Sequence, residues 1–200
     1  NVFVQSGHTV SLTQVESVND LNVNTGGVVA IGANTLQVNG KLRAFTGAAP
    51  GTDSNSPGAN CITSTGVGKL SIVGNSRAIT ASGQWAATTT GYAQEVNLNS
   101  GQTVTMGTNM KAVSWNIVAG TLDTGSSRVA ADNGTSGGPI TIATGTSVIS
   151  DASGSSNPIF YRTGTTSGGV LTVNGSLLLT GGSPNIAMSS IAFNGTIEYG

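Results

Sequence analysis

The chain has 200 residues, of which 8% are charged, 4% aromatic and 37% hydrophobic, with a net charge of −1; an ordinary soluble domain is about 25% charged. Scattered charge of this kind leaves no basic stripe for nucleic acid and no polybasic segment for a membrane surface, and no run of about 18 apolar residues spans a bilayer. Ser, Thr, Asn and Gly make up about half of the chain, yet the apolar residues are too many and too regularly placed for a disordered chain.

Along the chain, apolar and polar residues alternate over Val2–Val4, Thr9–Leu12, Leu21–Val23 and Val28–Ile31, each run flanked by Gly, Asn or Ser. This pattern predicts short strands. Thr35-Leu36-Gln37-Val38-Asn39-Gly40-Lys41-Leu42 predicts a strand, an Asn-Gly corner and a second strand. A turn-rich stretch, 48–68, carries no apolar period. Strand patterns resume at Leu70–Val73, Val96–Leu98, Thr103–Met106, Val113–Ile117, Ile140–Ile142 and Ile191–Phe193, interrupted again near 124–139 and 150–158. No window supports an amphipathic helix.

The chain also repeats itself. Residues 2–40 and 96–134 align without a gap: Val2, Ser6, Gly7, Thr9 and Val10 recur as Val96, Ser100, Gly101, Thr103 and Val104, and Leu21 and Val23 recur as Trp115 and Ile117. Val170-Leu171-Thr172-Val173-Asn174-Gly175-Ser176-Leu177 restates the strand, corner and strand of 35–42. Repeats of this kind point to stacked units that bury their apolar faces only against neighbours. Two-residue hairpins are possible at Asn39-Gly40, but apolar residues keep one sense across the corners and similar segments lie far apart. The expected fold is therefore all-β, a right-handed parallel β-helix of one elongated domain over residues 1–200, with roughly nine coils of roughly 20 residues stacked about 4.8 Å apart. The breaks at 48–68, 124–139 and 150–158 read as loop insertions, where binding residues usually sit.

Chemistry is harder to find. An enzyme cleaving glycans needs carboxylates gathered around a cation or flanking the glycosidic bond. The acids are Glu16, Asp20, Asp53, Glu95, Asp123, Asp132, Asp151 and Glu198. The spacing of Asp132 and Asp151 is close to one expected coil, with Arg128 nearby; they are the best acid pair available, and solvated corner carboxylates explain them more simply. A groove lined by Trp85, Tyr92 or Tyr161 beside clustered acids would mark a glycan site. His8 aligns with Gln102 in the second copy and reads as a turn residue. Cys61 is the one cysteine, so no internal disulfide is possible, and it reads as a structural or incidental thiol in a loop. Nucleophile-elbow, phosphate-loop and metalloprotease motifs are missing. The Thr-x-Thr triplets at Thr63, Thr103 and Thr163 are not evenly spaced, which argues against an ice-binding array. No cofactor or metal is expected.

The segments Val4-Gln5-Ser6-Gly7-His8-Thr9-Val10, Leu21-Asn22-Val23 and Thr35 to Leu42, with Phe193-Asn194-Gly195-Thr196-Ile197-Glu198-Tyr199 near the end, resemble the repeats of very large β-solenoid surface and secreted proteins of Bacteroidota, adhesin-like cargo of the type IX secretion system. The resemblance implies an extracellular or cell-surface bacterial protein. Its role would be structural or adhesive and non-enzymatic. A carbohydrate-active β-helix, binding or cleaving glycan along one face, is the alternative. The family's C-terminal sorting domain is not present, and both ends read as strand, so further coils of the same polypeptide or neighbouring subunits are expected to cover them; surface glycans are the other candidate partner.

Overall fold

The computed structural model describes residues 1–24, 26–44, 61–65, 68–75, 78–79, 91–107, 109–131, 137–153, 158–161 and 169–200. It is a parallel β-solenoid. Among the described residues there is no helix, and every strand pairing is parallel.

The chain winds around three faces. The first carries nine strands, beginning Val2–Val4, Leu21–Val23 and Leu42–Ala44 and ending Ser176–Leu179 and Thr196–Tyr199. The third carries eight, from Glu16–Val18 and Thr35–Val38 to Val170–Val173 and Ser190–Phe193. Between them lies a second face in two separate ladders. One holds Thr9–Ser11, Val28–Gly32 and Ile62–Ser64; the other holds Met110–Ala112, Val129–Ala131, Phe160–Tyr161 and Ile186–Ala187. Coils differ widely in length. Thr103 stacks on Thr121 after a short circuit, whereas Leu42 stacks on Ile79 only after a circuit twice as long. The number of turns falls slightly below the roughly nine expected because insertions lengthen several coils.

Alternation explains the core. On the third face Leu36, Leu70, Gln94, Trp115, Ile140, Leu171 and Ile191 stack in one row, and Val18, Val38, Ile72, Val96, Ile117, Ile142, Val173 and Phe193 in another. Val104, Leu122, Val148, Leu177 and Ile197 form a row on the first face. Most of these side chains are buried in a single cluster, each contributing about 1.5–3 kcal/mol. A one-residue slip of any strand would turn its apolar set outward.

Asn-Gly pairs sit where the third face turns into the first. Asn194 Nδ2 donates to Asn174 Oδ1 at 2.9 Å, and Asn99 Nδ2 to Asn75 Oδ1 at 3.2 Å, so corner asparagines link neighbouring coils. The following glycine is a steric requirement. A Cβ on Gly195 would run into the Gly175 carbonyl oxygen, and one on Gly175 into the carbonyl oxygens of Ala143 and Thr146.

The two long copies point the same way without occupying the same faces. Val4, Val23, Leu98 and Ile117 all lie in the one core, as the repeat predicts. Yet Val2–Val4 and Leu21–Val23 are on the first face, whereas Ala93–Leu98 and Ser114–Ala119 are on the third. The copies are therefore one strand out of phase and are not equivalent coils. Each copy encodes strand, corner and strand, a unit that suits any face; the long insertions between the copies set the phase.

Two loop expectations change. Ile62–Ser64 and Val129–Ala131 are second-face strands lying inside the stretches 48–68 and 124–139. Cys61 is not a loop thiol: it directly precedes Ile62–Ser64 and is buried in the core. Burial pushes its thiol up to about 12, from an ordinary value of 9.0. Because the folded value is the higher one, the stability held by the neutral thiol is complete below the ordinary thiol range and is lost as pH climbs from there towards 12. A disulfide reagent added to the native protein is expected to leave Cys61 unmodified at neutral pH and to label it fully once denaturant unfolds the chain.

Candidate functional site

Corner lengths give the solenoid a front and a back. From the third face to the first, the links whose residues are all described run from one residue, Gly120, to four, Asn99 to Gln102. The long links are 45–61, 80–92, 132–139, 151–159 and 162–169. Each of these leaves or enters the second face, or takes its place in the coil. In solenoids, insertions collected on one side commonly mark the binding side.

The outer side of the second face is also unusual in its burial. Met110 and Ala112 point inward, so Lys111 between them points outward, yet Lys111 is 5% exposed and Arg128, one coil on, is 7% exposed. Arg128 N–H donates to Asn109 Oδ1 at 2.9 Å. Cations this buried require compensating partners. No signal in the sequence marked Lys111. On the third face, by contrast, the outer side is a polar ladder: Lys69 Nζ meets Glu95 Oε2 at 3.0 Å, Ser71 Oγ donates to Glu95 Oε1 at 2.8 Å, and Asn116 beside them is exposed.

Of the residues expected to carry glycan chemistry, the structure describes the side chains of Asp151, Arg128 and Tyr92. Asp151 follows Ser147–Ser150 at the corner leading to the second face, the corner Arg128 occupies in the preceding coil. Its N–H donates to the Gly125 carbonyl at 3.1 Å, and its carboxylate is exposed, with neither hydrogen bond nor ion pair among the described residues. The spacing of Asp132 and Asp151 is shorter than the local coil. The coil in this region closes only from Leu122 to Val148, a longer path than that from Asp132 to Asp151, because the insertion at 132–139 lengthens it. Asp132 itself, Trp85 and the Tyr161 side chain lie outside the described residues. By chain position Asp132 follows the second-face strand ending at Ala131, Trp85 falls in the 80–92 link, and Tyr161 ends a second-face strand. Tyr92 cannot line a groove: it is fully buried in the core.

One further recess lies at the back. The single-residue corner at Gly120 is set between the four-residue corners Asn99 to Gln102 and Ala143 to Thr146, whose Gly101 and Gly145 adopt positive φ of 74° and 78°. The result is a notch of about 410 Å³ with Val118, Ala119, Gly120 and Thr121 as its floor and Ser100 and Thr144 on its walls. No charged side chain lines it, so it offers no acid or base. Among the described residues no group of three or more His, Cys, Asp or Glu is placed to hold a metal ion.

No protein-family model, curated protein or solved structure matches the chain.

Proposed function

We propose that the chain is a structural and adhesive β-solenoid segment of a bacterial cell-surface or secreted protein, without enzymatic activity, whose insertions bordering the second face present the contact surface. The observation that carries this reading is the asymmetry of the corners: every insertion longer than six residues borders or replaces the second face, while the opposite edge turns in four residues or fewer wherever its corners are fully described. The repeats of Bacteroidota surface proteins, exported by the type IX system, supply the analogy for such a rod.

The ends support a rod with further coils or neighbouring subunits stacked on it. Val2, Val10, Leu12 and Val18 line an open cavity of about 270 Å³ in the first coil, and Ile191, Phe193 and Tyr199 of the last coil are exposed in inward-facing positions. Exposed strand edges of this type invite pairing.

The test is a loop exchange. Replacing 45–60 and 154–157 with short Gly-Ser links should leave the far-ultraviolet circular dichroism unchanged and abolish adhesion of the chain to glycan-coated and cell surfaces. Adhesion that survives both exchanges would move the contact surface elsewhere.

A carbohydrate-cleaving reading is favoured only by Asp151 and Arg128, both in the links that lead from the first face to the second, with Asp132, Trp85 and Tyr161 near the second face by chain position alone. It predicts that acidic or neutral polysaccharides lose viscosity on incubation and that Asp151→Asn stops the loss. We expect no loss of viscosity with the native chain.

A further inference from the structure

We propose that Asn39-Gly40 is a self-modification site, where the asparagine converts to aspartate and isoaspartate through a cyclic imide, and that the fold protects the two matching corners, Asn174-Gly175 and Asn194-Gly195. All three dipeptides link a third-face strand to a first-face strand. In the reaction the glycine amide nitrogen attacks the asparagine Cγ. A nitrogen to Cγ bond forms, the amide proton passes to solvent base, and the side-chain amino group leaves as ammonia. Water then opens one of the two imide carbonyls, giving aspartate or isoaspartate, with no change of oxidation state.

The reaction needs a carboxamide free to swing over the glycine nitrogen and a glycine N–H not committed elsewhere. At the second corner neither condition holds: Gly175 N–H donates to the Ile142 carbonyl at 3.2 Å, and Asn174 Oδ1 accepts from Asn194 Nδ2 at 2.9 Å. At the third, Gly195 N–H donates to the Val173 carbonyl at 2.9 Å and the Asn194 carboxamide is the donor in that same link. At the first, the Val18 carbonyl accepts Asn39 N–H at 2.9 Å, and neither Gly40 N–H nor the Asn39 carboxamide, which packs on Gly74 of the next coil without a hydrogen bond, has a hydrogen-bond partner among the described residues. Asn39 is also exposed.

The product would act on the fold. A new carboxylate would stand against Gly74 of the next coil, at a corner whose Gly40 and Lys41 already pack on the Asp20 carboxylate, Lys41 N–H donating to Asp20 Oδ1 at 2.7 Å. Isoaspartate would also lengthen the backbone between Thr35–Val38 and Leu42–Ala44, loosening the register of Leu42 on Leu21.

The experiment holds the folded full chain at mildly alkaline pH and follows the three sites by peptide mass spectrometry that separates isoaspartate from asparagine. Asn39 should convert about tenfold faster than Asn174 or Asn194, the ratio given by about 1.4 kcal/mol of barrier, and the three rates should converge in denaturant. The variant Asn194→Ala removes the donor to Asn174 Oδ1 and should raise conversion at Asn174. Equal rates at the three sites in the folded chain, or no rise at Asn174 in the variant, would overturn the proposal.

Discussion

Replacing Trp115 with alanine is expected to destabilise the solenoid by about 3–5 kcal/mol, read as a lower denaturant midpoint at unchanged slope. Trp115 is among the largest buried side chains, and it sits in the inward row between Gln94 and Ile140. Its Nε1–H donates across the interior to the Ala130 carbonyl at 2.9 Å, tying the third face to the second. The truncation leaves a cavity and also removes the hydrogen bond across the interior. Because each coil contacts only its neighbours, the loss should concentrate in the coils around Trp115 and appear there first in hydrogen exchange. The neighbouring Asn116→Ala, on the exposed side of the same strand, should change stability by no more than about 0.5 kcal/mol.

Gly175→Ala should be nearly as severe, at about 3 kcal/mol once an overpacking cost of about 1–3 kcal/mol is joined by weakened backbone bonds worth about 1 kcal/mol each. The added methyl group meets the carbonyl oxygens of Ala143 and Thr146, which belong to the preceding coil and cannot rotate away. Relief requires the corner to lift, straining the bonds from Asn174 N–H to Ile142 at 2.8 Å and from Ser176 N–H to Thr146 at 2.9 Å. Gly101→Ala is the contrasting case. Its φ is +74° but the space around it is open, so it should cost only the left-handed penalty of roughly 1–2 kcal/mol. Thermal unfolding of the two variants side by side separates steric from conformational glycine; equal losses would remove the distinction.

The parts of the fold legible in the sequence are those set by neighbours along the chain. Val28–Gly32 and Thr103–Met106 alternate because one side of each strand is core, and Asn174-Gly175 marks its corner because the next residues must pass close to another backbone. What depends on distant stacking was not legible. Lys111 lies in the short strand Met110–Ala112, too brief to show a period, and nothing local tells that it is buried. The phase between the two copies depends on how much chain the intervening links absorb. Tyr92 looks like a surface aromatic beside Gly91 until its position just before Ala93–Leu98 places it inside. The spacing of Asp132 and Asp151 has no structural meaning without a fixed coil length, and the turn here runs on from Leu122 to Val148.

The direction of the ladders has a mechanical meaning. In this solenoid the hydrogen bonds between strands run along the long axis, so a pull on the two ends loads them one rung after another instead of all at once. Each rung that opens would release its whole coil: about 60 Å of slack for the circuit from Thr103 to Thr121, and about 120 Å for that from Leu42 to Ile79, at about 3.3 Å per residue. The closed coils advance by only about 4.8 Å each. A tether built this way yields in steps of unequal length, with its longest reserves stored in the coils that carry the insertions.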